Sequence, residues 1–257
     1  MHIFFRPARK AFTLIELLVV ISIIAVIATM IFSALAGARQ KGNEVASMNN
    51  LKQWATALQA SIGENNGHLP TDGVTGEGAD GALNLKDTAA WFNALPRYMK
   101  ERALSDEEYK TRAPQPPDRS IWINPAVTKE EALKVIQPPE KFFFCYAMNS
   151  YLSSTAEPTQ PANRIQSLSG TVFLAETGGD KPDCTIATVK AYYGPGKPES
   201  DKDNAAHFLF CDGHVELKKR KEFDASIKNF STDDPGPEDA KNLNPHFTFI
   251  PYPDAER

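Results

Sequence analysis

The chain contains 257 residues, with 28 lysines and arginines against 32 aspartates and glutamates, so its formal net charge is −4. Sequence-independent binding of nucleic acid depends chiefly on basic side chains that neutralise phosphates. Because this chain has more acidic than basic side chains, we expect no nucleic-acid partner. The length suits one globular domain in addition to an apolar segment at the N-terminus.

The first element is an apolar run near the N-terminus. Between Leu17 and Phe32 the only polar side chains are those of Ser22 and Thr29, and the run is long enough to supply the ~20 residues that a helix needs to cross a bilayer. The basic residues that precede it are Arg6, Arg9 and Lys10. Because basic flanks stay in the cytoplasm, this order predicts that the rest of the chain lies across the membrane.

Glu16 is the one ionisable residue within this run. An unpaired carboxylate at hydrocarbon depth costs about 2.5–3.5 kcal/mol, so the sequence predicts a partner for Glu16. A cleavable secretory signal is an alternative, because Ala34-Leu35-Ala36 has the small-x-small form of a cleavage site; the length of the run and the presence of Glu16 argue against it. An ordinary signal anchor with Glu16 at the membrane interface is a second alternative.

The segment Ala11-Phe12-Thr13-Leu14-Ile15-Glu16-Leu17 resembles the class III signal of type IV pilins and type II secretion pseudopilins. In that family a prepilin peptidase cuts on the cytoplasmic side, just before a Phe that is then N-methylated. The resemblance implies cleavage between Ala11 and Phe12, methylation of Phe12, and Glu16 as the fifth residue of the mature chain. The family usually has Gly before the cut, whereas this chain has Ala11, which is also small.

The same resemblance implies a mode of assembly. In a pilin-like filament the apolar helices bundle together, and the carboxylate of Glu16 offsets the N-terminal amine of a neighbouring subunit; a buried charge is tolerated when it is paired. The residues implied to pack between helices are Leu17, Leu18, Val19, Val20, Ile21, Ile23 and Ile24. The implied partners are other pilin or pseudopilin subunits, prepilin peptidase, and the secretion or pilus assembly machinery. The implied location is the inner membrane, crossed once, with the C-terminal head in the periplasm or outside the cell.

A second apolar pattern predicts that the helix continues beyond the membrane segment. Apolar residues recur there at steps of three and four, which places them in one stripe. They are Met48, Leu51, Ala55, Leu58 and Ile62. Gly63, Gly67 and Pro70 then end the helix. The stripe must pack on a surface, and we predict an α+β, pilin-like fold: a long N-terminal helix, membrane-spanning in its first half, packed on a small antiparallel sheet.

We divide the chain into a leader peptide (1–11), a transmembrane and assembly helix (12–36) and a head domain (37–257). The head includes an acidic, Pro-rich tail from about residue 233, which we expect to be extended. Within the head, a helical stretch is predicted over Thr88–Lys100. The predicted strands, which are rich in β-branched and aromatic residues, are Ser120–Ile123, Phe142–Met148, Thr171–Ala175 and Thr185–Ala191.

The clearest local pattern is a β-hairpin from Ala206 to Leu217. Asp212-Gly213 stands between two alternating runs, which favours a two-residue turn with these residues at its centre. Phe210 would then face Val215. The side chains expected to share one apolar face, and to seat the helical stripe, are those of Phe208, Phe210, Val215 and Leu217.

The opposite face of this hairpin would carry His207, Leu209, Cys211, His214 and Glu216. We expect a half-solvated strand face. A zinc site is the alternative, because Cys, His and Glu are zinc ligands, but Cys211 and His214 supply only two ligands at close range. No metal, cofactor or enzymatic activity is predicted: the chain has no serine in a Gly-x-Ser-x-Gly elbow and no nucleotide-binding fingerprint.

The three cysteines are Cys145, Cys184 and Cys211. An odd number leaves at least one thiol free or paired between chains. Cys145 and Cys211 lie on predicted strands, so they are either a cross-strand pair or small core residues.

The hairpin carries a second resemblance. Phe210-Cys211-Asp212-Gly213-His214-Val215 resembles the closing Asp-Gly-x-Val motif of a large family of bacterial prepilin-like proteins. A His usually begins that motif, but the family's spacing leads here to Lys202 or Asp203, so His207 is not assigned that role. The resemblance implies export and architecture, and it marks Asp212, Gly213 and Val215 as the motif residues.

These features together predict a non-enzymatic structural subunit of a type II secretion pseudopilus or a type IV pilus-like filament. The alternative is a membrane-anchored extracellular protein that binds a ligand such as a polysaccharide and does not polymerise.

Overall fold

The computed structural model describes residues 13–75, 82–136, 142–153, 161–194 and 203–227. The chain divides into two compact units, Met1–Gly42 and Asn43–Arg257. Helix α1, Leu14–Glu64, supplies the described part of the first unit and opens the second. The predicted leader, its cleavage site at Ala11 and Phe12, and the acidic tail from about residue 233 lie outside the described residues.

In the second unit, α1 buries the predicted stripe. Leu51, Ala55 and Leu58 are buried, and Met48 and Ile62 at the two ends of the stripe are half-buried. Two further buried apolar residues widen it, Trp54 and Ala57. A helix of a globular domain hides a stripe of this kind against the core.

The stripe packs on a sheet made of strands β3 (Phe144–Asn149), β4 (Val172–Gly179), β5 (Asp183–Cys184), β6 (Ala205–Phe210) and β7 (Val215–Lys219). Their order across the sheet is β5-β3-β4-β6-β7. All neighbouring pairs are antiparallel except β3 with β5. The predicted α+β, pilin-like arrangement of a long helix on a small sheet is confirmed.

The sheet has a packed face on each side. On the α1 side, Leu51 and Trp54 share a core with Leu174 and Leu209. On the other side, Phe208 packs edge-on against Phe223, with ring centroids 5.4 Å apart. Phe223 lies on α5 (Arg220–Ile227), so α5 packs on the face of the sheet that is opposite to α1.

Short elements fill the connection between α1 and the sheet. They are β1 (Val74–Thr75), β2 (Ala82–Leu83), α2 (Trp91–Ala94), a 3₁₀ turn (Pro96–Met99), α3 (Glu107–Thr111) and α4 (Lys129–Val135). The helical stretch predicted over Thr88–Lys100 is present but divided. Pro96 opens its second part as a 3₁₀ turn, since a proline has no backbone N–H to continue the α-helical pattern.

Two predicted strands are confirmed with shifted ends and two are wrong. The segment Ser120–Ile123 forms turns, because its carbonyl groups bond to side chains of α1: Trp54 Nε1 donates to Ile121 O at 3.3 Å and Asn50 Nδ2 donates to Ile123 O at 3.0 Å.

The other wrong strand is Thr185–Ala191, where the chain forms a short 3₁₀ turn, Ile186–Thr188. The Thr188 hydroxyl donates to Thr185 O at 2.9 Å, and the Thr185 N–H donates to the Thr188 hydroxyl at 3.2 Å. Threonine side chains that bond to nearby backbone in this way compete with strand pairing.

The hairpin is present, but its predicted register is wrong by one residue. Phe208 pairs with Glu216 and Leu209 with Val215, because the loop has three residues rather than two. Gly213 N donates to Phe210 O at 2.9 Å, which puts Cys211 and Asp212 at the centre of the turn. Gly213 follows at a φ of 93°, as in the three-residue hairpin loops that end in a bulge.

The shift also moves the side chains of β6 to the faces opposite to those predicted. A slip of one residue moves every side chain of a strand to the opposite face. Leu209 and Val215 pack on the α1 side, whereas Phe208 and Phe210 belong to the opposite core. Leu217 pairs with His207 and is 40% exposed. The expectation that Phe208, Phe210, Val215 and Leu217 together seat the helix is therefore wrong.

Candidate functional site

The first part of α1 is apolar on all sides. Leu14–Ile31 has a mean hydropathy of 2.9 over 18 residues and is long and apolar enough to cross a membrane. The predicted packing residues are 45–59% exposed, and they are Leu17, Leu18, Val19, Val20, Ile21, Ile23 and Ile24. A helix that is apolar all round needs lipid or other apolar helices around it. A signal sequence near an N-terminus has the same composition, so composition alone does not distinguish the two.

Glu16 forms a capping box with Thr13 at the start of α1. Its Oε2 accepts hydrogen bonds from the Thr13 backbone N at 2.9 Å and from the Thr13 hydroxyl at 2.7 Å. In return the Thr13 hydroxyl accepts a bond from the Glu16 N–H at 3.2 Å. This reciprocal pattern satisfies backbone groups that a helix N-terminus otherwise leaves open. Within the described residues Glu16 thus has a partner, and that partner belongs to its own helix turn.

The predicted motif residues Asp212, Gly213 and Val215 lie at the turn that meets α1. Gln59 on α1 donates from Nε2 to Cys211 O at 3.1 Å. A Cβ added to Gly213 would lie 3.3 Å from Gln59 Nε2, so the turn and the helix fit closely. Asp212 Oδ1 accepts from the His214 backbone N at 3.1 Å and lies 2.6 Å from His214 Nδ1. These contacts give the Asp-Gly turn a defined structural role.

The predicted half-solvated face of the hairpin is wrong. His207, Leu209 and Cys211 are buried on the α1 side. His214 and Glu216 are exposed, and the His214 ring stacks on Phe210 with centroids 4.2 Å apart. The residues considered for the alternative of a zinc site are divided between two faces, and the described residues contain no group of three or more His, Cys, Asp or Glu that could hold a metal ion.

A buried polar cluster around Glu176 on β4 was missed by the sequence analysis. Its carboxylate is fully buried and faces α1, where Ser47 Oγ donates to Oε1 at 2.5 Å. Asn124 Nδ2 donates to Oε1 at 3.0 Å and Tyr193 OH at 3.2 Å. His207 on β6 donates its backbone N–H to Oε2 at 2.7 Å, and its Nδ1 lies 3.2 Å from Oε1. The sequence signal that could have found this cluster is a single ionisable residue within an otherwise uncharged strand.

The order of the groups in this cluster does not suit hydrolysis. In a serine hydrolase the imidazole lies between the serine and the acid, so that it can take the serine proton. Here the carboxylate of Glu176 lies between Ser47 and His207 and contacts both. Ser47 is fully buried as well, so no substrate reaches it. The arrangement can hold elements together, but it does not activate a nucleophile.

All three cysteines are free and buried. The alternative of a bridge between Cys145 and Cys211 is not realised, and both are core residues. Cys184 donates its thiol to Ala147 O at 3.2 Å. Burial raises the pKa of the Cys145 thiol to about 12, and burial also raises the pKa of Cys184 and of Cys211.

The family model of the prokaryotic N-terminal methylation motif matches residues 6–32. Comparison with curated proteins gave no match, and comparison with solved structures gave no match. The matched residues include the basic leader, Ala11, Phe12, Glu16 and nearly all of the apolar run, and the match supports the resemblance of this N-terminal segment to that of type IV pilin- and pseudopilin-like proteins. Its motif indicates processing by prepilin peptidase, and its apolar helix fits the membrane anchor of such proteins. The resemblance of the hairpin to the Asp-Gly-x-Val motif stays a prediction.

Proposed function

We propose that the protein is a structural subunit of a type II secretion pseudopilus or a type IV pilus-like filament, cleaved before Phe12 and assembled through its N-terminal helix. The observation that carries this proposal is the described start of α1. It combines apolar side chains that remain exposed in the single chain with one carboxylate, that of Glu16, inside the segment that the methylation-motif family model matches. Such a surface is costly in water and is covered when helices bundle in a membrane or a filament.

The geometry of Glu16 supports pairing with a neighbouring subunit. Both bonds from Thr13 reach Oε2, and no described residue donates to Oε1. The second oxygen is therefore available to the positive amine of the mature N-terminus of a neighbour, because an ionised carboxylate accepts several hydrogen bonds. The capping box and the intersubunit pair can exist together.

The rest of the proposal concerns the division of the chain, its modification, its location and its partners, and it follows from cleavage before Phe12. Residues 1–11 form the leader, 12–36 the transmembrane and assembly helix, and 37–257 the head, including the tail from about 233. Phe12 is N-methylated, and the apolar residues from Leu17 to Ile24 pack between helices. The head faces the periplasm or the exterior, and the partners are prepilin peptidase, other pilin or pseudopilin subunits, and the assembly machinery. We propose no enzymatic activity.

A pair of substitutions at Glu16 tests the proposal. Glu16→Ala removes both the charge and the cap, whereas Glu16→Gln keeps a capping acceptor, since glutamine also serves in a capping box, and removes the charge alone. Both variants should insert in the membrane like the native chain and should be lost from the filament fraction. The measurement is the ratio of protein in sheared filaments to protein in the membrane of the native host, by immunoblot after ultracentrifugation.

The matched control is Ser22→Ala, because the Ser22 hydroxyl bonds to Leu18 O of its own helix at 2.7 Å and carries no charge. It should assemble like the native chain. Assembly of Glu16→Gln at native levels would refute charge pairing. If the native chain and both Glu16 variants are all found in the membrane and absent from the filament fraction, the anchored ligand-binding alternative is favoured.

A further inference from the structure

Strand β7 forms one edge of the sheet. It pairs with β6 on its inner side, and no described strand pairs with its outer side. The backbone N–H and C=O groups on the outer side of an edge strand can bond to a further strand. Native proteins cover or block such edges, because an open edge also pairs with other chains.

The hydrogen bonds between β6 and β7 show which backbone groups of β7 point outward. Phe210 N donates to His214 O at 2.9 Å, and at the far end of the hairpin Arg220 N donates to Asn204 O at 2.7 Å. In an antiparallel pair, residues that bond to the neighbouring strand alternate with residues whose N–H and C=O groups point away from it. The residues of β7 that point away from β6 are therefore Val215, Leu217 and Lys219.

The open part of this edge is short, because both ends of β7 are closed. At one end Lys219 N donates to Glu222 Oε2 at 2.5 Å. The carbonyl group of Lys219, which directly precedes α5, accepts the first bond of that helix. At the other end the chain turns away at Gly213. Among the described residues of β7, Val215 and Leu217 thus keep both outward groups available.

The side chains beside the open edge are apolar and incompletely covered. Leu217 is 40% exposed, and Val215 is half-buried. Val215 packs on the α1 side of the sheet, and Leu217 lies on the same side because residues two apart in a strand share a face. A strand added here would cover apolar surface as well as backbone groups.

The chain beyond α5 contains one short segment that fits this edge. Residues 246–250 read His-Phe-Thr-Phe-Ile and stand between Pro245 and Pro251. Phenylalanine, threonine and isoleucine favour strands, and a proline, which has no N–H to donate, suits the end of an edge strand. Residues 228–244 connect this segment to α5, and they can extend to about 55 Å. A tether of this kind gives the segment a high effective concentration at the edge, which favours it over a second copy of the chain.

We propose that residues 246–250 add to the outer side of β7 of the same chain as an antiparallel strand, with Phe247 opposite Leu217 and Phe249 opposite Val215. The N–H and C=O groups of the two phenylalanines then bond to the open groups of β7. Both rings lie on the α1 side and cover the exposed part of Leu217.

The prolines support this register. Pro245 then lies opposite Lys219, whose N–H and C=O groups are already occupied. Pro251 lies opposite Gly213, beyond the end of β7. The two residues that cannot donate a backbone hydrogen bond therefore fall at the two places where the edge offers no open pair.

Engineered disulfides in the full chain in detergent test the register. The double variant Leu217→Cys with Phe247→Cys should form an intrachain disulfide under mild oxidation, because directly opposite residues of a bonded pair have Cα atoms about 5.5 Å apart. The control is Leu217→Cys with Phe249→Cys, which puts the Cα atoms about 8 Å apart and beyond bridging distance. The native cysteines are buried and free. The measurement is peptide mass mapping without reduction.

We expect the first pair to be linked in most molecules and the control pair in few. Failure of the first pair to link overturns the proposal, and so does equal linkage of both pairs, since the segment would then have no fixed register. Linkage between chains rather than within one chain, seen as a band of twice the mass, would assign the edge to a second copy and would also overturn it.

Hydrogen–deuterium exchange of the full chain in detergent, resolved to single amides, tests the backbone bonds without cysteines. The amides of Val215 and Leu217 should be protected in the native chain, although no described strand bonds to them. The amide of Glu216 points toward β6, where Glu216 pairs with Phe208, and serves as an internal control. Exchange of Val215 and Leu217 at the intrinsic rate beside a protected Glu216 would overturn the proposal.

A pair of variants then tests whether the segment supplies that protection. Replacing Phe247 and Phe249 together by serine should speed exchange at residues 215 and 217 by at least about tenfold. Thr248→Ser is the matched control, because the Thr248 side chain would lie on the face away from α1, and it should exchange like the native chain. Unchanged protection in the double variant would show that another part of the protein covers the edge.

Discussion

Gly213 has a backbone conformation that glycine adopts without strain and that other residues rarely adopt. Its φ is 93°, and an added Cβ would also approach Gln59 Nε2 to 3.3 Å. This conformation lets Gly213 end the three-residue loop, in whose register Leu209 pairs with Val215 and both pack on the α1 side.

We therefore expect Gly213→Ala to destabilise the head by about 1–2 kcal/mol, the usual cost of a left-handed conformation in a residue with a Cβ. The measurement is the free energy of unfolding of the detergent-solubilised full chain in urea, followed by tryptophan fluorescence. The control is Gly63→Ala, near the end of α1, where an added Cβ meets nothing within 4 Å; it should stabilise by about 0.5–1 kcal/mol. An equal stability of Gly213→Ala and the native chain would contradict the role assigned to the turn.

The cysteine thiols provide a second test at the residue scale. Burial raises the pKa of the Cys145 thiol to about 12, and all three thiols are buried. A thiol reagent therefore finds the Cys145 thiol protonated and all three sulfur atoms inaccessible. At pH 8 we expect the native chain to react with less than one equivalent of maleimide over an hour, and the chain in denaturant to react with all three cysteines. Rapid labelling of the native chain would show that the described core opens readily.

Some residue roles could be predicted from the sequence and others could not. The methylation motif was recognisable because its information is local: a basic leader, a Phe and a Glu at fixed spacing. Glu176 was not recognised, because its partners Ser47 and His207 lie 129 and 31 residues away. A local sequence pattern carries no information about contacts between residues so far apart in the chain.

At the scale of elements, α1 was predicted well because its signals are periodic. The stripe from Met48 to Ile62 is buried or half-buried, and the helix ends at Glu64, close to the predicted glycines. The wrong strand at Ser120–Ile123 shows the limit of such patterns. Its residues have strand propensity, but Asn50 and Trp54 of α1 occupy its carbonyl groups.

The hairpin register shows a different limit. Asp212-Gly213 is typical of a two-residue loop, and a glycine at the end of a three-residue loop is typical as well. The two loops differ by one residue in register, and a propensity for turns does not choose between them. The closeness of Gln59 to the turn is a tertiary contact that the sequence pattern does not contain.

The packing of α1 on the head can be tested at Trp54. Its ring packs edge-on against Trp91 and Trp122, with centroids 5.3 and 4.9 Å away. Trp54→Ala should destabilise the head by about 3–5 kcal/mol, as expected when a large buried aromatic side chain is removed. The measurement is again urea unfolding of the full chain, here followed by circular dichroism.

Gln53→Ala is the matched control, because Gln53 is the exposed neighbour of Trp54 on the same helix. It should change the free energy of unfolding by no more than about 0.5 kcal/mol. A loss of less than 1 kcal/mol in Trp54→Ala would mean that α1 is not held by this aromatic cluster.

At the scale of the whole molecule, the proposed cleavage after Ala11 would change the charge as well as the length. Residues 1–11 contain three basic residues and no acidic ones, so a chain that begins at Phe12 would keep 25 basic and 32 acidic side chains and a formal net charge of −7. We therefore predict that the processed form is more acidic than its precursor and that the two forms separate on isoelectric focusing as well as by mass.

We predict that mass analysis of the membrane-extracted protein will find an N-terminal peptide that begins with N-methylated Phe12. Ala11→Gly should be processed at least as fully, because the family usually has Gly at this position. Ala11→Leu should accumulate as precursor, since a large side chain replaces the small one beside the scissile bond. A native chain that begins at Met1, or after Ala36, would exclude the prepilin path.

The bond between Gln59 and Cys211 O has a consequence for the time course of folding. Its two residues are 152 positions apart, and at synthesis rates of roughly 5–20 residues per second that interval takes roughly 8 to 30 s. The helix is complete long before its last partner strands exist. During that delay the apolar stripe around Leu51 and Leu58 has no sheet to cover it. Other apolar surfaces must shield the stripe from water until the hairpin has been synthesised.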